Sequence, residues 1–362
     1  MAIQGNIFVE RMYQQIELEM LQNIGKVIGN GEGVDKDGVT QWRVAKLSQL
    51  GVLRNDQLQV LAKYSDMTVQ ELINYINELG VTEIEAFEGR NKALVDAGVD
   101  YVPPSNNVYD RLLALEEQSK DVMNMVNTNM LAFSEQAYID ILTKASTDVL
   151  TGNSTLYQSL VKVAGEWAES GIPAIVDKAG KAWSTEAYIS MVLRATQKNV
   201  VNEMQEGRMD DYDIDLVEFS SHTGSRPSHI EFQGKVYSRS GKSKKYPARS
   251  TTTYGIGADG MITGIACSHQ EYAYVEGVST KRYEPYNKKE SEEKYVESQR
   301  QRHLERNIRK AKKEKAMLES MEVNEEDLIK ADAEIEKRKQ KMAEFIKKTG
   351  RTRRKQRENI VS

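Results

Sequence analysis

The sequence is short of most features that announce chemistry. Among its 362 residues there is one cysteine, Cys267, and there are four histidines. A lone cysteine excludes an intrachain disulfide and fits a reducing compartment. No segment approaches the roughly 18 consecutive apolar residues that a membrane span needs. Met1 to Glu10 has neither the basic start nor the apolar run of a signal peptide, so synthesis in a cytoplasm is expected. There is no positive excess either. Fifty Lys and Arg against 54 Asp and Glu give a net charge of -4, which excludes a globally basic nucleic-acid binder. Apolar residues make up only 39%, low for one compact globule, so elongated helical parts with much solvated surface are expected. Asn153-Ser154-Thr155 matches a glycosylation acceptor, without expected meaning where no secretory signal precedes it.

What is present is periodicity. Tyr13, Ile16, Met20, Ile24 and Val27 are spaced to line one helical face. The glycine-rich stretch from Gly29 to Gly38 breaks that pattern. Thr68 with Glu71, and Thr82 with Glu85, match capping boxes and predict two helix starts. Pro103-Pro104 marks a further break. Val108, Leu112, Leu115, Val122, Val126 and Met130 then resume helical spacing, and another helix is expected from about Ser184. These stripes read as core between packed helices. Tyr64, Tyr75 and Tyr109 are candidate contact surface.

Near residue 210 the character changes. Ile214, Leu216 and Phe219, then Ile230 and Phe232, then Val236, read as strands, and Asp259-Gly260 as a hairpin turn before a strand over Met261 to Ala266. Gly255-Ile256-Gly257-Ala258-Asp259-Gly260 matches the dinucleotide fingerprint formally. The strand expected after it, where the chemistry needs a helix, makes it a glycine-rich hairpin instead. Beyond about Tyr286 the chain is helical and highly charged. Leu328, Ile335 and Met342 recur every seven residues with Ala331 and Phe345 beside them, but Arg338 interrupts the row, short of a coiled coil. Asn324 divides this part into two helices. The run from Arg300 to Lys315 reads as a solvated helix face. The fold class is therefore mainly α with a small α+β domain, in three parts: a helical region 1–205, a compact hub 206–285, and a charged helical tail 286–362 that projects outward.

Two clusters carry chemistry. His222, His229, Cys267 and His269 combine imidazole and thiolate, the ligand types that suit zinc, although their spacing matches no common zinc pattern; Asp215 or Glu218 would be a further ligand. The alternative is that these side chains hydrogen-bond within a polar core and hold loops. A catalytic Cys267–His269 dyad would need an activated thiol and an orienting partner, and no catalytic residue is assigned. The second cluster is Lys347, Lys348, Arg351, Arg353, Arg354, Lys355 and Arg357, uninterrupted by acid. It reads either as a frayed solvated tail or as a phosphate contact with salt-dependent binding. No aromatic is interleaved, so base stacking is not indicated.

The segment from Ser220 to Ser240 closely resembles the signature of phage minor capsid proteins of the second type, through Ser220, Ser221, His222, Arg226, Pro227, Ser228, His229, Gln233, Gly234, Lys235 and Val236. Tyr254, Gly255, Gly264, Cys267 and His269 resemble the family's later block, and Gln299 to Arg309 its charged helix. Gly171-Ile172-Pro173, Gly180, Trp183, Ala187-Tyr188 and Arg194 fit upstream. The resemblance is firm from about 165 to 315 and looser before it. Phe232 stands where the family usually has Trp, and Ser268 where relatives often carry Arg. The family is similar to the Mu F-like head morphogenesis proteins. The resemblance implies a structural, non-enzymatic virion protein of a tailed phage, held inside the head near the portal. Its partners would be the portal protein, other head proteins and, through the basic C-terminal end, packaged DNA. It implies no cofactor and no membrane. In that reading Ser221, Arg226, Pro227, Gln233, Gly234 and Lys235 shape the hub. The rival, prompted by the His/Cys cluster, is a metal-dependent hydrolase or effector delivered with the genome, which requires bound zinc with an open coordination position.

Overall fold

The computed structural model describes residues 2–92, 96, 98–255, 260–265 and 267–360. The fold is mainly α with two small sheets. Helices α1 (Ala2–Ile28), α2 (Val39–Leu47) and α3 (Leu50–Arg90) are followed by α4 (Asn106–Leu150) and α5 (Leu156–Ser170). Strands β1 (Pro173–Val176) and β2 (Ala182–Ser184) precede α6 (Thr185–Asp211). Then come β3 (Leu216–Phe219), β4 (Val236–Ser238), β5 (Glu271–Tyr274), α7 (Lys288–Ser320) and α8 (Glu325–Thr349).

The residues form two compact units. One comprises Met1–Asn6, Gln70–Asp121 and Ser190–Gln299; the other comprises Ile7–Val69, Val122–Ile189 and Arg300–Ser362. In the first, β4, β3 and β5 make an antiparallel sheet in that order, with Val217 opposite both Tyr237 and Ala273. Its core gathers Phe87, Met209, Ile214, Val217, Phe219, Tyr237, Ile262 and Cys267. In the second, β1 and β2 form a bulged hairpin.

Local rules account for several boundaries. Helix α1 stops where Gly29, Gly31 and Gly33 take positive φ, a region that costs a side chain strain. Helix α4 follows Pro103-Pro104. Thr155 caps α5 in a reciprocal box with Gln158. Asn324 caps α8, whose first turn carries Glu325, Glu326 and Asp327 and whose last turn carries Lys347 and Lys348, both aligned with the helix dipole. Gly350 ends it in the left-handed conformation. Among the described residues no helix is long and apolar enough to cross a membrane.

Elsewhere the tertiary structure overrides the local signal. No helix starts at Thr68 or Thr82, because α3 runs unbroken through both. Thr68 is fully buried and donates its hydroxyl to the Tyr64 carbonyl one turn back, so its oxygen caps nothing. Tyr75 is core rather than contact surface, while Tyr109 is exposed. Ile230 and Phe232 are not in a strand. Pro227 opens a 3-10 turn over Pro227–His229, and the amides of Phe232 and Gln233 both donate to the His229 carbonyl. Among the described residues the expected strand after Gly260 does not form either. Ile262 makes one isolated bridge to Tyr254, and the next residue, Thr263, has φ +63. That conformation strains a β-branched residue. It is held by the Asn202 side chain, which donates to the Thr263 carbonyl at 2.7 Å in the interior. Residues 256–259 and Ala266, with most of the formal dinucleotide motif and the Asp259 turn, lie outside the described residues.

The charged tail does not project. Helix α8 packs Met342, with Phe345 and Ile346, on Leu304 and Ile308 of α7. Arg338 pairs with Glu169 of α5 at 2.5 Å, and Tyr157 donates to Asp327 at 2.7 Å.

Candidate functional site

The Ser220–Val236 segment is pinned to the sheet by its backbone. The Phe219 amide donates to the Lys235 carbonyl and the Gly234 amide to the Phe219 carbonyl, both at 3.0 Å. Ser220 and Gln270 exchange two bonds of 2.8 Å, and Ser221 donates to the Glu284 carbonyl at 2.5 Å. Pro227 opens the turn, and Arg226 reaches the Ile265 carbonyl at 3.4 Å. The Lys235 side chain is exposed and serves here through its backbone. At Gly234, φ is +68, and a Cβ would sit 2.7 Å from the Glu284 carbonyl carbon and 2.8 Å from the Pro285 nitrogen. Gly234→Ala is expected to destabilise by about 2 kcal/mol or more, adding backbone overlap to conformational strain. Gly260→Ala, at φ +76 in open space, should cost only the strain. Urea titrations of both variants check the difference.

On this frame the histidines and the cysteine converge. The side chains of His229, Cys267 and His269 are all buried, and one ligand atom from each lies within 4.8 Å of the others. The Cys267 Sγ is 3.3 Å from His269 Nδ1 and 3.6 Å from His229 Nδ1. The His269 amide donates to the same sulfur at 3.4 Å. His222 is half-buried, its ring 4.4 Å from that of His269, with Nδ1 against the Thr223 carbonyl at 3.1 Å and Nε2 buried without a partner among the described residues. Asp215 is committed elsewhere, to Ser238 and the Ser240 amide, and Glu218 to the amides of Arg282 and Tyr283.

The outer nitrogens set the tautomers. His229 Nε2 faces the Gly260 carbonyl at 2.9 Å, an acceptor only, so that nitrogen carries the proton. His269 Nε2 faces Gln233 Oε1 at 3.0 Å, and the same oxygen accepts the His222 amide at 3.1 Å. An amide can only donate, so Gln233 cannot be flipped without losing that bond. Both Nε2 atoms therefore donate, and both Nδ1 lone pairs face the sulfur. Burial, with His222 and His229 adding to it, pushes His269 down to about 2, and burial also lowers His229, so both rings are neutral. Cys267 is 8% exposed and His229 and His269 are each 1% exposed, so the cluster is nearly shut off from solvent. Two surface concavities, one lined by residues between Gly33 and Ala45 and one by Glu169, Leu304 and Lys341 with neighbours, contain none of its members.

Beside it lies a charged network that the sequence reading missed. Arg249 bridges Glu206 of α6 and Glu271 of β5, the latter at 2.8 Å. Arg239 joins Glu206 at 2.5 Å to Asp210 at 2.6 Å. Tyr254 covers Arg249 at 3.8 Å and donates to Glu206 at 3.2 Å. Burial raises Glu271 above the ordinary carboxylate range, with Arg249 opposing. Burial acts the same way on Glu206, but its two arginines outweigh it. Lys198, buried and with Nζ unpartnered among the described residues, is pulled down to about 8 by burial. The only sequence signal was Glu206 and Asp210 one turn apart on α6.

A second missed network corrects the reading of Arg300 to Lys315 as a solvated face. Lys313 is buried between Glu17 of α1 at 3.1 Å and Glu186 of α6 at 3.9 Å, and Arg309 holds Glu186 from the other side at 3.1 Å. The basic end is tied down too. Arg354 grips buried Glu305 with two bonds of 2.9 and 3.2 Å, Arg353 grips Glu358 at 2.7 and 2.6 Å, and Arg351 meets Gln301 at 2.8 Å. Lys347, Lys348, Lys355 and Arg357 are exposed.

The family model described as "Phage minor capsid protein 2" matches residues 6–347. The chain belongs to the phage minor capsid protein 2 family. Among relatives of this minor capsid protein, a "Structural protein" of Lactococcus phage LL-H is 28% identical over 291 residues, 76% of this chain and 77% of the relative. A "Structural protein" of Lactococcus phage mv4 is 39% identical over 75 residues, 21% of this chain and 59% of the relative. No solved structure matches the chain.

Proposed function

We propose that this minor capsid protein is a non-enzymatic component of the phage head, acting in head assembly beside the portal, with residues 206–285 as its rigid hub. The observation that carries this reading is the family match from residue 6 to 347, joined by the LL-H relative's description as a structural protein. The buried charge networks and the closed His/Cys cluster support a shape-holding role, since a catalytic thiol needs an open path for substrate. Mass spectrometry of purified procapsids and virions should find the chain at low copy, and its absence from both would defeat the proposal. Co-expression with the portal protein should give co-elution on size exclusion; separate elution would remove the portal as direct partner.

Packaged DNA is a second partner in this reading, favoured by the exposure of Lys347, Lys348, Lys355 and Arg357. Replacing these four by alanine spares the arginines that the fold itself engages. Every phosphate that the variant no longer neutralises should lower the slope of log affinity against log salt by about 0.9. An unchanged slope in a filter-binding series would take DNA binding away from this end.

A further inference from the structure

We propose that His229, Cys267 and His269 bind one zinc ion as a buried structural site, an inference independent of where in the virion the chain resides. Both Nδ1 lone pairs point at the sulfur, because the Gly260 carbonyl and the Gln233 oxygen, the latter held by the His222 amide, fix the protons on the Nε2 atoms. A thiol has one proton to offer and two such acceptors to satisfy. One imidazole nitrogen is thus buried facing sulfur with no hydrogen between them, an arrangement that costs free energy. A cation at the centre removes the mismatch, because thiolate and both nitrogens then all donate lone pairs inward.

The two sulfur–nitrogen distances agree. Tetrahedral zinc with bonds of about 2.3 Å to sulfur and about 2.05 Å to nitrogen separates those donors by about 3.5 Å, against 3.3 and 3.6 Å here. The surroundings are those of metal-bound histidine, in which the outer ring nitrogen donates to a carbonyl that fixes the ring. The His269 amide directed at Cys267 supplies a hydrogen bond to a thiolate. Mixed sulfur and imidazole donors select zinc over magnesium or calcium. His222, whose ring lies 4.4 Å from that of His269, stands outside the three-atom group, so the fourth position falls to it only if its ring turns, or otherwise to water. Binding joins the Pro227–His229 turn to the lead into β5, with the Gly260 carbonyl behind the His229 ring. Two segments separated in sequence are thereby tied together, and metal binding becomes part of folding.

The test uses the untagged full-length chain, purified without chelator. Elemental analysis should return about one zinc per chain, and a chromogenic chelator should withdraw it with loss of thermal stability. Cobalt soaked into the stripped protein should give a thiolate-to-metal absorption band, absent in Cys267→Ser. His269→Gln should carry less than about a tenth of the wild-type zinc. Because either variant can misfold, the wild-type measurements decide. Less than about a tenth of an equivalent after zinc dialysis, or a full equivalent retained in both variants, overturns the site.

Discussion

Replacing Lys313 by alanine is expected to cost about 3–5 kcal/mol of folding stability, because it strands a buried carboxylate rather than merely deleting an attraction. Glu17 is 1% exposed, and Lys313 is its ion-pair partner at 3.1 Å. Burial already pushes the Glu17 carboxyl up, with Lys313 opposing. Burial works against the Lys313 charge too, yet Glu17 and Glu186 together outweigh it and hold its pKa above the ordinary value. Without the ammonium, Glu17 rises further and folds protonated. A carboxyl whose folded pKa exceeds its unfolded one loses stability as pH rises between the two. The deficit should therefore be smaller at about pH 5 than at about pH 8. Urea midpoints at both values measure it. A deficit under about 1 kcal/mol at both, the size of an exposed pair, would mean that the pair is solvated. Exchanging both partners for methionine, which leaves neither charge behind, should recover most of the loss.

Arg249→Met is the second large effect, again about 3–5 kcal/mol by the same reasoning. This guanidinium serves two carboxylates, and Glu271 is only 1% exposed. Methionine keeps packing against Tyr254 but leaves Glu271 beside Glu206 with no cation between them. Glu271 is raised by burial even with Arg249 present, so in the variant it takes up a proton at neutral pH. The deficit in this variant likewise grows from about pH 5 to about pH 8. Adding Glu271→Gln should flatten that dependence, and a flat profile in the single variant would show that Glu271 does not titrate there. Since Glu206 lies on α6 and Glu271 on β5, hydrogen exchange in the three-stranded sheet should rise in Arg249→Met before it rises in α8.

Much of the helical scaffold was legible because its signals are local. In the first stripe Tyr13, Ile16, Met20 and Ile24 are buried as their spacing implied, while Val27 is half-buried. The break at Gly29, the break at Pro103 and the cap at Asn324 each depend on the backbone chemistry of one or two residues. Both false starts in α3 had the right letters for a cap. A cap forms only where the amides are unpaired, and continuous packing of Leu72, Ile76 and Leu79 keeps them in the helix. Ile230 and Phe232 alternate like a strand, but the turn begun by Pro227 claims their amides.

The sequence by itself determined the class of fold, the helix breaks at Gly29, Pro103 and Asn324, and the family, all of which follow from short-range patterns or ordered motifs. Only tertiary structure decided which charges are buried. Lys313 and Glu17 are 296 positions apart, and a charged helix carries no mark of the face that another element will cover. Tertiary structure alone also turned His229 and His269 toward Cys267, because the direction of an imidazole lone pair depends on the carbonyl behind the ring. Those carbonyls, at Gly260 and Gln233, reach their places only when the chain has folded.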